Sequence, residues 1–417
     1  MVKLIKIPKS SKKTVILQSV MTKEEYNRIC EYLREVIRGT KWEGKVYTVG
    51  GCLRDALMGL DIHDVDLAVA VPDGGVLFPL WLEKEGLTLV PPTLYRRFSS
   101  SRLRLKAFPD DEIEVVQTRR EQYTDANSRN PEVCFGSIQD DCERRDLTIN
   151  SLYQNVTTGE VLDLTGCGVD DIRNHRIRTP MAPPDTYSDD PIRILRTLRF
   201  AVRYGWEIPE DVWEAMKDNG SRMKIVRRPR VSTEFEKMML SNDPVKLLKM
   251  MKELGVIFRV LPELCHLYRI KDHTLREQLG PNASLPTLWE RTLEKLDEVV
   301  GSPEDSLEAR FAALFSQFYR IKIPYSVSEK DRNSHRNAGI STIVTIALRR
   351  LMYDYDFIGR VKKLLGVEQE EDPTLEVRKG KKRKSKSRKE RPAAAESTKK
   401  KRRRRRRRRK KSKDGDE

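Results

Sequence analysis

A pair of aspartates between two short apolar runs constrains this chain more than any other feature. Residues 46–49 are mainly apolar, a glycine pair and a helical stretch follow, and Asp64 and Asp66 then open an apolar run over residues 67–71. Residues i and i+2 of a strand point to one face, so both carboxylates should project together at the mouth of a sheet. Two such carboxylates repel each other, and hard oxygen ligands favour Mg²⁺. An isolated Asp-x-Asp is typical of a solvated turn, but the flanking runs favour a metal-binding pair.

The glycine pair, Gly50 and Gly51, stands where a strand is predicted to end and a helix to begin. Glycine lets a phosphate approach the backbone N–H groups at a helix N-terminus. Arg54 follows in the first turn of that predicted helix. A phosphate cradle beside metal-binding carboxylates predicts nucleotide chemistry.

The charge of the chain is distributed very unevenly. The formal net charge is +18, yet residues 378–417 hold 24 Lys/Arg and five Asp/Glu, a net charge of +19. The remaining 57 basic and 58 acidic residues leave a net charge of −1. Because a tract with eight consecutive arginines repels itself, we expect a disordered tail. Its expected partner is RNA, since each neutralised phosphate releases counterions; a tail that serves only solubility is the alternative.

Cysteines and apolar stretches predict the compartment. Six cysteines are scattered without a Cys-x-x-Cys pair, which is typical of free thiols in a reducing cytosol and does not favour a zinc site. No apolar stretch has the length of a transmembrane helix, and the basic N-terminus lacks the apolar core of a secretory signal. We therefore expect a cytoplasmic protein without a membrane partner, and the sequence does not predict its oligomeric state.

Periodicity predicts an α+β part followed by helices. A helix is expected from Thr22, which with Glu25 resembles a capping box. Short strands, glycine turns and helices alternate up to about residue 165, and helical spacing then prevails. The predicted domains are a leader and helix (1–44), an α+β head (45–165), a helical neck (166–265), a helical body (266–366) and the basic tail (367–417).

A third carboxylate, Glu114, lies in a predicted hairpin. Residues 102–108 and 112–117 are expected to pair antiparallel through a turn at residues 109–111. Alternation along the second strand places Glu112 and Glu114 on one face and apolar residues on the other. Glu114 is then either a solvent-facing residue of a half-buried strand or the third carboxylate of a two-metal site, and the nearby aspartate pair favours the metal site.

Two groups of arginines suggest contacts with an anion. Arg145 lies in a cluster of charged residues at 140–146, which fits phosphate oxygens or a surface salt-bridge cluster equally well. Arg193, Arg196 and Arg199 recur every third residue and share one face of a predicted helix, where Asp190 can offset one charge. That face is either solvated or lies opposite a nucleotide or RNA phosphate.

Four segments in order resemble one family: GGCLRDALMGLDIHDVDL, IEVVQTRRE, ERRDLTINSL and DDPIRILRTLRF. They look like the bacterial (class II) CCA-adding tRNA nucleotidyltransferase and poly(A) polymerase family over about residues 45–265. The resemblance implies a nucleotidyltransferase (polymerase β-like) head followed by an all-helical neck and body. It also implies Mg²⁺ as cofactor, ATP and CTP as substrates, and the 3′ end of RNA, above all of tRNA, as acceptor.

The resemblance assigns roles to individual residues. Asp64 and Asp66 match the catalytic metal ligands of the family. The nucleotide contacts that it implies are Gly51 and Arg54 for the triphosphate, Arg145 for the nucleotide, Asp190 and Arg193 for the Watson–Crick edge of the incoming base, and Arg196 and Arg199 for further contacts.

The chain departs from the family pattern in two places. Phe98-Ser99-Ser100 stands where the family often carries Phe-Gly-Thr, and Leu147 stands where Phe is common. Because Gly is conformationally permissive and Ser is not, we expect the loop geometry at Ser99 to be affected.

The body is similar to segments of the His-Asp phosphohydrolase domain that is appended to some family members. The positions of its metal ligands hold Arg291, Ser316 and Gln317 in this chain, and His335 is a remaining histidine. We therefore expect a degenerate domain without metal-dependent phosphohydrolase activity.

Three functional hypotheses remain. The favoured one is an enzyme that adds C, C and A to tRNA 3′ ends. The second is a poly(A) polymerase that uses the same site on mRNA, and the basic tail is compatible with it. The third is a non-catalytic RNA-binding protein, which the aspartate pair argues against.

Overall fold

The computed structural model describes residues 21–122, 132–280, 282–321 and 329–367. The predicted leader up to residue 20 and the predicted basic tail from residue 368 onward lie outside these ranges. Strands in the described residues are β1 (Val46–Val49), β2 (Val65–Val69), β3 (Thr93–Tyr95), β4 (Ser100–Leu105), β5 (Phe108–Gln117), β6 (Arg119–Gln122), β7 (Glu132–Phe135), β8 (Leu152–Asn155) and β9 (Val161–Asp163).

The first helix precedes the strands along the chain, the next three lie between them, and the others follow the last strand of the described residues. They are α1 (Lys23–Ile37), α2 (Gly51–Met58), α3 (Gly74–Lys84), α4 (Ile138–Glu143), α5 (Gly168–Arg173), α6 (Pro183–Asp189), α7 (Ile192–Tyr204), α8 (Glu210–Asn219), α9 (Arg228–Met239), α10 (Pro244–Glu253) and α11 (Ile257–Val260). The remaining helices are α12 (Cys265–Arg269), α13 (Arg276–Leu279), α14 (Leu288–Val299), α15 (Leu307–Phe315), α16 (Glu329–Arg350) and α17 (Tyr355–Leu364).

A seven-stranded mixed sheet organises the head. Its strand order is β3-β4-β5-β2-β1-β8-β9, with β6 and β7 in a separate two-stranded sheet. Strand β2 runs parallel to β5, and the other neighbouring pairs are antiparallel. A mixed sheet followed by helices confirms the predicted α+β class.

Helix α1 begins where the sequence predicts it. The Thr22 hydroxyl accepts from the Glu25 N–H at 3.2 Å, and the Glu25 carboxylate accepts from the Thr22 N–H at 2.8 Å. This reciprocal pair satisfies two of the donors that a helix start leaves unpaired. The apolar face of α1 is buried through Tyr26, Ile29 and Leu33.

The predicted hairpin forms, but its turn was predicted at the wrong place. The chain turns at residues 106–107, and residues 109–111 lie inside β5. Pro109 fits there because β2 pairs only with Ile113–Gln117, so the start of β5 needs no N–H donor on that side. A shift in register between Leu103 and Leu105 then brings Arg102 opposite Glu114.

The two faces of the sheet are covered differently. One face packs on α1 and α3 through a large apolar cluster that includes Leu67, Phe78 and Val115. The opposite face carries a much smaller cluster, which includes Ala68 and Tyr153. Because side chains alternate along a strand, polar residues of β2 and β5 are left on this less covered face.

A third and larger apolar cluster joins the helices from α6 to α17. Helix α7 contributes Ile194, Leu195 and Leu198 to it, and Trp289 on α14 is fully buried there. None of the helices in the described residues combines the length and apolar composition needed to cross a membrane.

Candidate nucleotide-binding site

A row of charged side chains crosses the less covered face of the sheet. Asp66 on β2 is the direct partner of Glu114 on β5, and Glu114 is the direct partner of Arg102 on β4. Asp64 lies just before β2 and is exposed, whereas Asp66 is partly buried. The structure therefore places Glu114 directly opposite Asp66, with Asp64 two residues before Asp66.

The carboxylates of this row are not fully neutralised by the protein. Burial raises the pKa of Asp66 to about 7, and the negative charges of Asp64 and Glu114 add to the shift. Arg145 and Arg102 act in the opposite direction without cancelling it. A carboxyl group held in this way favours a bound cation as its counter-charge.

The donor set at Asp64 and Asp66 fits a hard divalent cation, because it consists of two adjacent carboxylates with unrelieved repulsion. Glu114 is arranged differently, since its carboxylate lies 3.3 Å from the Arg102 guanidinium. Among the described residues, no three His, Cys, Asp or Glu side chains are already grouped as a metal site. The aspartate pair is thus the candidate for holding the metal, and Glu114 as third ligand stays a prediction.

The glycine turn lies against this carboxylate pair. Gly50 has φ 78°, in the left-handed region that favours glycine, and Gly51 is the first residue of α2. A methyl group added at Gly50 would lie 3.6 Å from Asp66 Oδ2 and 3.5 Å from Arg145 Nη1. The turn, Asp66 and Arg145 therefore meet around one point, as a nucleotide phosphate beside a metal would require.

Arg145 is held in place by its neighbours. It donates to Asp141 at 2.9 Å and to the Tyr153 hydroxyl at 3.0 Å, and it also contacts the Asn150 carbonyl at 3.3 Å. Although burial opposes its charge, Tyr153 and Asp141 raise the pKa of Arg145. The guanidinium is thus a fixed positive charge beside Gly50.

Arg54 is buried rather than open to a phosphate. Its guanidinium makes two hydrogen bonds of 2.8 Å with Asp55 and a third with the Asn150 side chain. It also lies over the rings of Phe200 and Tyr204 on α7. The predicted triphosphate contact of Arg54 stays a prediction, and in this structure Arg54 connects α2 with α7.

The arginines of α7 have carboxylate partners inside the protein. Arg196 donates to Asp146 at 2.7 Å, and Arg199 donates to Glu234 on α9 at 2.9 Å. Burial opposes ionisation of Asp146, yet Arg196 holds its pKa well below the usual range. The anion that this helix face needs is therefore supplied by the chain itself.

The two residues predicted to read the base have separate partners. The Asp190 carboxylate pairs with Arg230 at 2.5 Å and 3.2 Å, whereas Arg193 donates to the carbonyls of Thr186 at 2.9 Å and Arg144 at 2.5 Å. Their side chains are thus not bonded to each other. A cavity of about 280 Å³ lies beside Arg230 and Arg196 and is also lined by Ile192, Pro229, Thr233 and Glu234.

Ser99 has the backbone conformation of the glycine that it replaces in the family pattern, and an altered loop geometry stays a prediction. Its φ of 41° and ψ of 53° are left-handed, which is the conformation that glycine adopts at least cost. The loop is held by the Gln117 N–H, which donates to the Ser99 carbonyl at 3.1 Å. Serine thus occupies this position under strain.

The ligand positions of the body hold side chains with other roles. Arg291 pairs with Glu294 on its own helix, and the Ser316 hydroxyl donates to the Ala313 carbonyl at 2.8 Å. The Gln317 amide donates to Ser316 at 3.0 Å, and His335 lies on α16. A degenerate phosphohydrolase domain stays a prediction.

Sequence reasoning missed three residues of this region: Arg102, Asp141 and Glu234. Asp141 is buried and binds Arg144 and Arg145 together, which the adjacent charges could have indicated. Arg102 was missed because the turn was predicted at the wrong place, which changes the residue that pairs with Glu114. Glu234 was missed because no local sequence pattern indicates that α9 packs on α7.

Comparison with known families finds matches over two parts of the chain. Residues 46–178 match the family described as "Poly A polymerase head domain". Residues 205–267 match the family described as "Probable RNA and SrmB- binding site of polymerase A". The first match contains the carboxylate row, and the second contains α8 to α11.

Curated relatives carry related names. The chain is 30% identical over 259 residues to the mitochondrial CCA tRNA nucleotidyltransferase of Saccharomyces cerevisiae, covering 56% of this chain and 46% of that protein. It is 28% identical over 311 residues to the multifunctional CCA protein of Neisseria meningitidis, covering 72% and 66%. The chain spans about half the length of the fungal relatives that it matches. Fungal and bacterial proteins both match, so these relatives do not single out a bacterial branch.

Solved structures share the fold. The Thermotoga maritima CCA-adding enzyme complexed with tRNA superposes with a TM-score of 0.54 at 19% identity, over 87% of this chain and 83% of that one. A CCA-adding enzyme in complex with ATP gives a TM-score of 0.53 at 20% identity, over 88% and 84%. The chain therefore has a polymerase β-like nucleotidyltransferase head, which the poly A polymerase head domain model matches, followed by a helical region with the fold of CCA-adding enzymes.

Proposed function

We propose that the chain is a template-independent RNA 3′-end nucleotidyltransferase that adds CCA to tRNA 3′ ends from CTP and ATP, with release of pyrophosphate. The observation that carries the proposal is the meeting of Asp66, Arg145 and the Gly50 turn around one point, with the charge of Asp64 acting on Asp66. The names of the fungal and Neisseria relatives support tRNA as the acceptor. The names of the two matched families favour a poly(A) polymerase as the second candidate.

The residues of the site supply position and charge rather than a nucleophile. The RNA 3′-hydroxyl attacks the α-phosphorus, the bond from that phosphorus to the β-phosphate oxygen breaks, pyrophosphate leaves and the hydroxyl proton passes to solvent. Asp64 and Asp66 would hold Mg²⁺, which supplies charge neutralisation and lowers the pKa of the hydroxyl. Gly51 offers the N-terminus of α2 to the triphosphate, and Arg145 adds a fixed positive charge.

The remaining nucleotide contacts are proposed with the partners that they must exchange. Asp190 and Arg193 would read the base edge once Asp190 leaves Arg230. A guanidinium has five N–H donors, of which the Thr186 and Arg144 carbonyls take two from Arg193. Three further arginines would contact the nucleotide only after their ion pairs with carboxylates break: Arg54, Arg196 and Arg199.

We propose the domain boundaries of the sequence analysis, with RNA bound by the neck and by the tail of residues 367–417. The +19 charge of residues 378–417 supports the tail as an RNA-binding element. We also propose a cytoplasmic location, which cell fractionation tests against the mitochondrial location named for the yeast relative.

The deciding experiment is incubation with Mg²⁺, labelled CTP or ATP, and tRNA that lacks its 3′ CCA. Addition of two C and one A followed by arrest is the result expected for CCA addition. A ladder of A without C identifies a poly(A) polymerase instead. RNA binding without any transfer overturns both enzymatic proposals.

A further inference from the structure

The charged row continues past the carboxylates to a basic residue that the proposed function does not use. Arg102 is the direct cross-strand partner of Glu114, and Glu114 is the direct neighbour of Asp66. The backbone register of three adjacent strands therefore sets the order Arg102, Glu114, Asp66 along one face. Directly opposite residues lie within reach of each other's side chains.

The side chains make the contacts that this register allows. Arg102 Nη2 lies 3.3 Å from Glu114 Oε2, and Arg102 Nη1 lies 3.1 Å from Glu112 Oε1. All three side chains are 40–49% exposed, so ions in solution reach them. An ion pair this exposed contributes less than about 1 kcal/mol, so it exchanges partners readily.

We propose that Arg102 is a positioning residue that competes with the divalent cation for Glu114. In the protein without nucleotide, Arg102 holds Glu114 as its own counter-ion, and the cation has only Asp64 and Asp66. A bound triphosphate offers Arg102 a stronger anion and releases Glu114 toward the cation. This inference rests on the proposed function, because the anion that it invokes is the triphosphate.

The competition follows from the chemistry of the two partners. A guanidinium stays protonated at all accessible pH values, so Arg102 cannot leave Glu114 by losing its charge. Phosphate oxygens form two parallel hydrogen bonds with one guanidinium, whereas Arg102 divides its N–H groups between Glu112 at 3.1 Å and Glu114 at 3.3 Å. Metal affinity should therefore be low in the protein alone and higher when a triphosphate is present.

Binding of Mn²⁺ alone, followed by electron paramagnetic resonance of the unbound ion, tests the proposal without any turnover. Arg102→Gln should tighten Mn²⁺ binding about three- to tenfold, as removal of one nearby positive charge and release of one carboxylate predict. In the wild-type background, Glu114→Gln should weaken Mn²⁺ binding little. In the Arg102→Gln background, the same substitution should cause a loss of Mn²⁺ affinity that is at least threefold larger. Arg104→Gln, two residues along β4, is the matched control for loss of charge, and it should have the smaller effect.

Two results would overturn the inference. One is unchanged Mn²⁺ affinity in Arg102→Gln. The other is an equal effect of Glu114→Gln in both backgrounds, which would mean that Arg102 acts through its charge alone. If wild-type protein adds nucleotides to RNA and either result is found, only the inference fails; if wild-type protein transfers nothing, the proposed function fails.

Discussion

Two charged regions of this molecule contain the same residue types, but the pKa of a buried aspartate is raised in one region and lowered in the other. In the carboxylate row of the head (Asp64, Asp66 and Glu114), burial and like charges raise the pKa of Asp66 to about 7. Behind α7, burial also opposes the charge of Asp146, but Arg196 at 2.7 Å lowers its pKa. Asp66 therefore favours a counter-charge from outside the protein, whereas Asp146 already has one inside it.

Whether a buried charge has a partner inside the protein separates a binding site from a structural ion pair in this fold. Sequence spacing marked both regions as candidates for contact with phosphate or metal. The structure shows that the α7 arginines are occupied by Asp146 and Glu234, which connect α7 to the head and to α9. We infer that the row binds the reactive part of the substrate and that the α7 face first positions the neck.

The largest expected effect follows from removing either aspartate of the row. Asp64→Ala or Asp66→Ala should lower nucleotide transfer by about a thousandfold or more, because a metal site contributes several kcal/mol to the transition state. Asp64 is exposed just before β2 and Asp66 is only partly buried, so the fold should persist, as circular dichroism can check. Near-normal turnover in either variant would remove the metal proposal.

The α7 region should respond in stability. Asp146→Asn leaves the partly buried Arg196 without its main partner and should lower the free energy of unfolding by about 2–4 kcal/mol. A lowered folded-state pKa means that this contribution is complete at neutral pH and is lost as the pH falls below about 4. Urea unfolding at pH 7 measures the change. Asp170→Asn, in an exposed pair with Arg173, is the control and should cost less than about 1 kcal/mol. Equal losses would contradict a special role for Asp146.

A smaller effect is expected where α7 meets the proposed base-reading site. Arg193→Lys keeps the charge and loses the planar fork, so discrimination between CTP and ATP should fall by about 1–3 kcal/mol, the usual range for a bidentate base contact. Incorporation from mixed triphosphates gives the ratio. A variant that is slower but fully selective would show that Arg193 does not read the base.

The smallest effect concerns Ser99. Because its backbone is left-handed, Ser99→Gly should raise the free energy of unfolding by about 0.5–1 kcal/mol. Thermal unfolding of Ser99→Gly beside Ser99→Ala provides the comparison, since alanine removes the hydroxyl and keeps the strain. A gain from alanine as large as that from glycine would mean that strain is not the cause.

Much of the fold could be predicted from local patterns. The capping box starts α1 at the expected residue, and the glycine turn, β1 and β2 lie where the apolar runs place them. The hairpin shows the limit, since a proline-aspartate segment that resembles a turn lies inside β5. The proline-aspartate segment lies in the register shift between the two pairings of β4 with β5, and that shift decided which basic residue faces Glu114.

The sequence was enough to predict which residues form the site, but not which side chains those residues contact. Spacing along β2 and β5 indicated the carboxylates because each lies on a regular strand. The occupation of Arg199 by Glu234 depends on how α9 packs on α7, a contact between residues 35 positions apart. Such long-range pairs leave no periodic trace in a single sequence.

The most direct test of the comparison is the thermal unfolding of wild type, Asp66→Asn and Asp146→Asn with and without Mg²⁺. A raised pKa means that the Asp66 carboxylate destabilises the fold increasingly from about pH 4 to pH 7 and fully above pH 7. At pH 8 without metal, Asp66→Asn should therefore be more stable than wild type by about 1–3 kcal/mol, after allowance for its partial exposure. Mg²⁺ should stabilise wild type and Asp146→Asn but not Asp66→Asn. An Asp66→Asn variant that is less stable than wild type at pH 8, or that gains as much from Mg²⁺, would contradict the account.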